Sequence, residues 1–215
     1  MNRMELINII AEHIGAKNYL EVGVRFGACL SGIRAPNRVG VDPQPMLHEA
    51  KPEHRPGLEG VTLYLCTSDE YFAKASERFD LVFVDGMHLY EFAMRDLLNA
   101  LNLLRPGGFV VMHDMCPRCA AVAGRCRTST EWNGDVWKVS LDVHLHYPDI
   151  GFFVADTDFG LGVFWKRNPE TVYPVRWDRE LPNLGFDLYE KNAQKFQPRI
   201  DPTPEALRRK LAEVC

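Results

Sequence analysis

Phe79-Asp-Leu-Val-Phe-Val-Asp-Gly-Met-His88 is the stretch from which the fold of this chain can be read. Leu81 to Val84 is a continuous apolar run, too short for a helix and rich in β-branched and aromatic residues. Such a run suits a strand buried on both faces at the centre of a parallel sheet. It stops at Asp85-Gly86-Met87-His88, polar residues that a core does not tolerate, so the strand end faces solvent or a ligand. Working outward, Tyr90 to Leu104 has helical periodicity and is ended by Arg105-Pro-Gly-Gly108. Phe109-Val-Val-Met-His-Asp114 then repeats the pattern of an apolar run closed by polar residues.

Upstream, Tyr19-Leu-Glu-Val-Gly-Val24, Arg38-Val-Gly-Val-Asp42 and Val61-Thr-Leu-Tyr-Leu-Cys66 read as three further strands. An amphipathic helix marked by Met4, Leu6, Ile7, Ile10 and Ile14 precedes them. A helix from about Ala28 ends before Pro36. Ser68 is expected to cap a helix reaching about Arg78. Residues 44–60 are rich in Pro, His and Glu and leave room for only a short helix. Downstream, Asp135 is expected to cap a helix running to about His146, and Ile150–Val154 pairs with Leu161–Trp165 as a hairpin. Strands alternating with helices predict a doubly wound α/β fold. Its mostly parallel seven-stranded sheet would carry helices on both faces and a final antiparallel hairpin. Residues 1–167 form that domain. Residues 168–215 form a tail with one late helix, opened by Thr203-Pro204, that serves as a cover over the domain or as a dimer arm.

The chain has 215 residues with a hydrophobic fraction of 46%, enough for a core that needs no staples. A net charge of −4 gives no global attraction to nucleic acid or to an anionic membrane. No apolar run approaches the ~20 residues that span a bilayer. Arg3, Glu5, Glu12 and His13 interrupt any export signal, so a cytoplasmic location is expected. The six cysteines, Cys29, Cys66, Cys116, Cys119, Cys126 and Cys215, are then expected as free thiols.

Ligands of open α/β sheets bind beyond the carboxyl ends of the strands, where the topology reverses. Four strand ends here carry residues suited to that place. Strand one gives Glu21-Val-Gly23 with Gly27 following, and glycine lets backbone approach a ligand closely. Strand two ends in Asp42, a carboxylate able to accept both hydroxyls of a ribose. Strand four ends in Asp85-Gly86-Met87-His88, and strand five in His113-Asp114. The dinucleotide fingerprint Gly-x-Gly-x-x-Gly is not matched at its first and third glycines, which disfavours NAD.

Taken together, Tyr19–Gly27, Val39–Pro43, Phe79–Tyr90 and Leu104–Asp114 resemble class I S-adenosylmethionine (SAM)-dependent methyltransferases, over roughly residues 17–166. The resemblance is closest to a small bacterial branch with Asp-Gly-x-His and His-Asp at the ends of strands four and five. It implies a Rossmann-like fold and a cofactor site. Glu21, Gly23 and Gly27 would line the methionine and ribose side, Asp42 the ribose, Ser68 and Asp69 the adenine, and Asp85 and Gly86 the methionine amine and the sulfonium. His88 is the first candidate base for an acceptor hydroxyl, His113 the second, with Asp114 beside them. Related sugar and catechol methyltransferases also imply a divalent cation, Mg²⁺, held by Asp85, His113 and Asp114. His113 stands where a hard ion prefers an acidic ligand, and the alternative is that His113 and Asp114 hydrogen-bond the loop and one another.

His113-x-x-Cys116-x-x-Cys119 with Cys126 has a zinc-like spacing but only one knuckle, and free cysteines are the simpler reading. Arg118, Arg125 and Arg127 sit in the loop after strand five, either as solvated surface or as a lid over an anionic or sugar-like substrate. Trp132 and Trp137, near Asp135 and Lys138, either face a ring-shaped substrate or join the core. His144 and His146 read as helix surface. The expected activity is O-methylation of a small hydroxyl-bearing metabolite, a sugar or natural-product intermediate, with a homodimer as one assembly. A non-catalytic nucleoside-binding module and an NAD-linked oxidoreductase are the alternatives.

Overall fold

The computed structural model describes residues 1–47, 60–175 and 181–214. Helix α1 (Arg3–Ile14) opens with a reciprocal cap, in which the Asn2 side chain accepts from the Glu5 amide and Glu5 accepts from the Asn2 amide. Gly15, in the left-handed region, ends it. The sheet follows with β1 (Asn18–Val22), β2 (Asn37–Val41), β3 (Val61–Tyr64), β4 (Phe79–Val84), β5 (Leu104–Met112), β6 (Ile150–Ala155), β7 (Leu161–Lys166) and β8 (Arg199–Ile200). The intervening helices are α2 (Ala28–Gly32), α3 (Ser68–Phe72), α4 (Tyr90–Leu103) and α5 (Lys138–His146), and the tail adds α6 (Phe186–Phe196) and α7 (Pro204–Val214).

Strand order is β3-β2-β1-β4-β5-β7-β6-β8. The five strands β1 to β5 are parallel to one another, and β7 runs antiparallel between β5 and β6. The order reverses between β1 and β4, which opens a crevice at their carboxyl ends. Central strand β4 shows why its residues read as a doubly buried run. Leu81 and Phe83 point to one face with α1 and α7, and Val82 and Val84 to the other with α4, α5 and α6.

The sheet has eight strands rather than seven, because Arg199 and Ile200 pair with Val154 and Ala155. The tail also holds a second helix, α6, whose few apolar residues are spaced among charges. Its Tyr189 and Phe196 pack on Trp137 at 5.2 and 6.3 Å between ring centres, so Trp137 belongs to the core. Helix α7 buries Leu207 and Leu211 with α1, so the described tail covers its own domain.

Two expected caps fall elsewhere. Thr67, not Ser68, caps α3 through a box with Glu70, and α3 stops at Phe72. Asp135 does not cap α5; its carboxylate accepts from the Tyr90 amide at 2.7 Å and so closes the start of α4, a long-range contact invisible in local sequence. Strand β5 begins at Leu104, directly after α4, and slips register against β4 between Leu104 and Phe109. The short helix expected within residues 44–60 lies largely outside the described residues, as does Cys215. Among the described residues, no helix is long and apolar enough to cross a membrane.

Candidate active site

At the carboxyl ends of β1, β2, β4 and β5 lies a cavity of about 630 Å³. Gly23 forms its lip with φ +88°, and a Cβ there would overlap the backbone of Asp85 and Gly86. Only glycine lets the β1 turn lie against the end of β4. Asp42 lines the cavity beside it. Its two oxygens accept from the Arg25 and Gln44 amides, each at 2.8 Å, which fixes the carboxylate and leaves one lone pair per oxygen. Ser68, Asp69, Asp85 and Gly86 also line the cavity.

Two candidates do not line the cavity. Glu21 is 1% exposed and accepts from Tyr19 Oη at 2.7 Å. Its side chain lies beneath the turn, where burial pushes its pKa up to about 8. Gly27 caps α2 at φ +74° and faces the Leu47 side chain. Both shape the turn from behind.

The chemical end of the cavity gathers His88, His113, Asp85 and Asp114. His88 Nδ1 lies 2.6 Å from the Trp132 carbonyl. A carbonyl can only accept, so Nδ1 carries the proton and Nε2 holds the lone pair of the neutral ring. His88 Nε2 is 3.4 Å from Asp85 Oδ1, and the Trp132 indole stacks on the imidazole at 5.2 Å. Burial lowers the His88 pKa, but Asp85, Asp114 and the Trp132 carbonyl outweigh it and leave it raised.

His113 is buried edge-on between Phe83 and Phe159. Burial again works downward, but Asp85, Asp114 and Asp158 hold its pKa well above the usual value. Its Nδ1 lies 3.0 Å from Asp114 Oδ2 and 3.3 Å from Asp85 Oδ1. These approaches are close but out of line, since neither ring nitrogen of His113 nor Asp114 Oδ2 makes a hydrogen bond. Asp85 is half-buried, which favours its neutral form, yet His113, His88 and Arg3 hold its pKa far below the carboxylate range.

Asp85, His113 and Asp114 each offer a ligand atom, all within 4.8 Å of one another. With buried polar atoms otherwise unsatisfied, the donor set fits a divalent cation. Among the described residues it is the only such group. The zinc-like spacing forms no site: Cys116 is buried with its thiol toward Gln197, whereas Cys119 and Cys126 are exposed.

Of the loop arginines, only Arg127 lines the cavity. Arg125 is tied to Glu91 at 2.5 Å and to Asp135 at 2.7 Å, and Arg118 lies over Phe159. Lys138 is buried on Asp135, His144 is exposed, and His146 pairs with Asp142.

Sequence reasoning missed Arg3, Asp96 and Phe159. Arg3 reaches from α1 to Asp85 Oδ2 at 2.6 Å and grips Asp158 with Nε and Nη2, contacts between residues far apart in the chain that leave no local signal. Asp96 lines the cavity from α4, and burial lifts its pKa to about 7. An acidic residue on the inner side of a helix was the available hint.

Residues 20–115 match the family model described as a methyltransferase domain. The matched segment, less than half of the chain, is similar to that family. Solved structures share the fold of the whole domain. Cofactor-bound Rv0187 from MTB is 17% identical over 78% of this chain and 82% of that one, with a TM-score of 0.60. The O-methyltransferase TomG from Streptomyces achromogenes, involved in tomaymycin synthesis and in complex with SAM, is 15% identical over 77% and 80%, with a TM-score of 0.58. The Podospora anserina methyltransferase PaMTH1, bound to S-adenosylhomocysteine (SAH), is 19% identical over 78% and 80%, also at 0.58. No curated protein matches the chain. The chain therefore shares the fold of these structures, and its cavity lies at the carboxyl ends of the parallel strands, where open α/β sheets bind ligands.

Proposed function

We propose that the chain transfers a methyl group from SAM to a hydroxyl of a small molecule. The observation that carries this reading is one cavity lined by Gly23, Asp42 and His88 together. A volume of about 630 Å³ suits a nucleoside and part of an acceptor. The Asp42 oxygens receive the ribose hydroxyls, and Ser68 and Asp69 flank the adenine. Asp85 and Gly86 face the methionine end.

In the reaction the methyl group passes in line from sulfur to the acceptor oxygen. The S–CH₃ bond breaks as the O–CH₃ bond forms, and SAH leaves. The sulfonium is already activated, so alignment does most of the work. His88 Nε2 takes the hydroxyl proton, with Nδ1 anchored on the Trp132 carbonyl so that the ring presents that nitrogen. Trp132 and Arg127 form the acceptor side, which favours a ring-shaped, oxygen-rich molecule such as a sugar or a natural-product intermediate. A divalent cation held by Asp85, His113 and Asp114 would lower the pKa of the acceptor hydroxyl.

The test is methyl transfer from labelled SAM with a panel of sugars and phenols, alongside calorimetry with SAM and NAD. SAM is expected to bind, NAD is not, and His88→Gln is expected to lower turnover by about 10²–10⁴-fold with SAM affinity retained. Binding of NAD alone would refute the reading.

A further inference from the structure

Each group that faces the cation position has another residue standing behind it. Asp85 points Oδ1 inward while Arg3 takes Oδ2 at 2.6 Å. Asp114, held at φ +64°, points Oδ2 inward while Oδ1 accepts from Asn133 Nδ2 at 2.8 Å. His113 points Nδ1 inward while Nε2 faces Asp158 Oδ1 at 3.5 Å. Asp158 is itself gripped by Arg3. When the far nitrogen of an imidazole donates to a carboxylate, its tautomer is set and the near nitrogen is strengthened as a ligand; Asp158 is the carboxylate that stands within reach of Nε2. His113 is 5% and Asp114 4% exposed, and His113 Nδ1 and Asp114 Oδ2 have no hydrogen bond to satisfy them. A pair of residues placed only to bond each other would not be left out of line in this way.

From this geometry we infer that the site is built for a first-row transition cation rather than magnesium, with His113 Nδ1 as the selecting ligand and Asp158 as its positioning residue. The inference rests on the cation site proposed above. Magnesium is a hard ion that takes oxygen ligands in strict octahedral geometry. An imidazole nitrogen joined to two carboxylates instead favours the later ions of the first row. Charge agrees. Asp85, Asp114 and Asp158 against Arg3 leave two negative charges once the imidazoles are neutral, which one divalent cation balances.

The test uses metal-free full-length protein titrated with Co²⁺ and with Mg²⁺ by equilibrium dialysis, in wild type and in His113→Asp. Co²⁺ is expected to bind, and the ratio of Mg²⁺ to Co²⁺ dissociation constants is expected to fall at least about tenfold in His113→Asp. A second measurement needs no change at His113. Electron-spin-echo spectra of Mn²⁺ bound to His88→Gln are expected to show coupling to an imidazole ¹⁴N, and Asp158→Asn is expected to lower Co²⁺ affinity without abolishing it. An unchanged ratio in folded His113→Asp, or no ¹⁴N coupling in His88→Gln, overturns the choice of ion while leaving a cation site standing. Failure of both ions to bind wild type overturns the cation site as well, and SAM binding then judges the methyltransferase reading separately.

Discussion

Asp42 and Glu21 are both acidic residues at neighbouring strand ends, and the structure gives them opposite environments. The Asp42 carboxylate lines the cavity with its oxygens fixed by two backbone amides. Asp42→Ala is expected to weaken SAM binding about tenfold or more, roughly 1.4 kcal/mol per decade, as read by calorimetry; unchanged affinity would remove the ribose assignment. Glu21 is buried on Tyr19 with its pKa raised to about 8. Between the unfolded carboxyl value and about 8, the native state binds a proton that the unfolded state has released, so stability falls as pH rises through that window. Glu21→Gln keeps an acceptor for Tyr19 and removes the titration. Relative to wild type it is expected to gain stability from pH 5 to pH 9, by up to about 3 kcal/mol, measured by urea unfolding without cofactor. Equal pH dependence in the two proteins would show that Glu21 is not buried as an acid. The sequence placed both carboxylates at strand ends, but which one faces the cavity depended on the alternation of β1 against α2.

The turns and caps decide where the elements stop. Gly23 was legible as a glycine needed in a tight turn, because the Glu-x-Gly-x-x-x-Gly pattern follows an apolar strand. What it approaches, the backbone of Asp85 more than sixty residues on, was not. Gly23→Ala combines φ +88° with overlap on that backbone. It is expected to cost roughly 2 kcal/mol or more and to weaken SAM binding. A thermal melt within 1 °C of wild type would mean that the turn relaxes freely. The strands were readable because their apolar runs are continuous and β-branched. The caps at Thr67 and Asp135 were not, since a side-chain oxygen one residue earlier or a carboxylate forty-five residues away serves equally well. Helix α6 was missed for a related reason: Tyr189, Ala193 and Phe196 make a narrow stripe in a charged segment, and the cluster around Trp137 supplies what local pattern lacks.

At the scale of the molecule, the tail and the N-terminal helix form one unit with the site. Helix α7 packs on α1, and α1 carries Arg3 to Asp85 and Asp158. Leu211 is fully buried in that contact, and Val172 is 77% exposed. Leu211→Ala is expected to cost about 2–4 kcal/mol, and Val172→Ala to stay within about 0.5 kcal/mol, both by chemical denaturation. Equal effects would place α7 off the domain in solution. The amino-acid sequence by itself determined the α/β class, the chain order of strands and helices, and the strand ends that carry Gly23, Asp42, Asp85, His88, His113 and Asp114. These follow from local periodicity and from polar residues that no core accepts. Only the tertiary structure decided that Arg3, Asn133 and Asp158 stand behind those groups, that Glu21 lies beneath the turn, and that the tail packs a helix on each face of the sheet. Such contacts join residues far apart in the chain, and their energy appears only when the sheet brings the partners together.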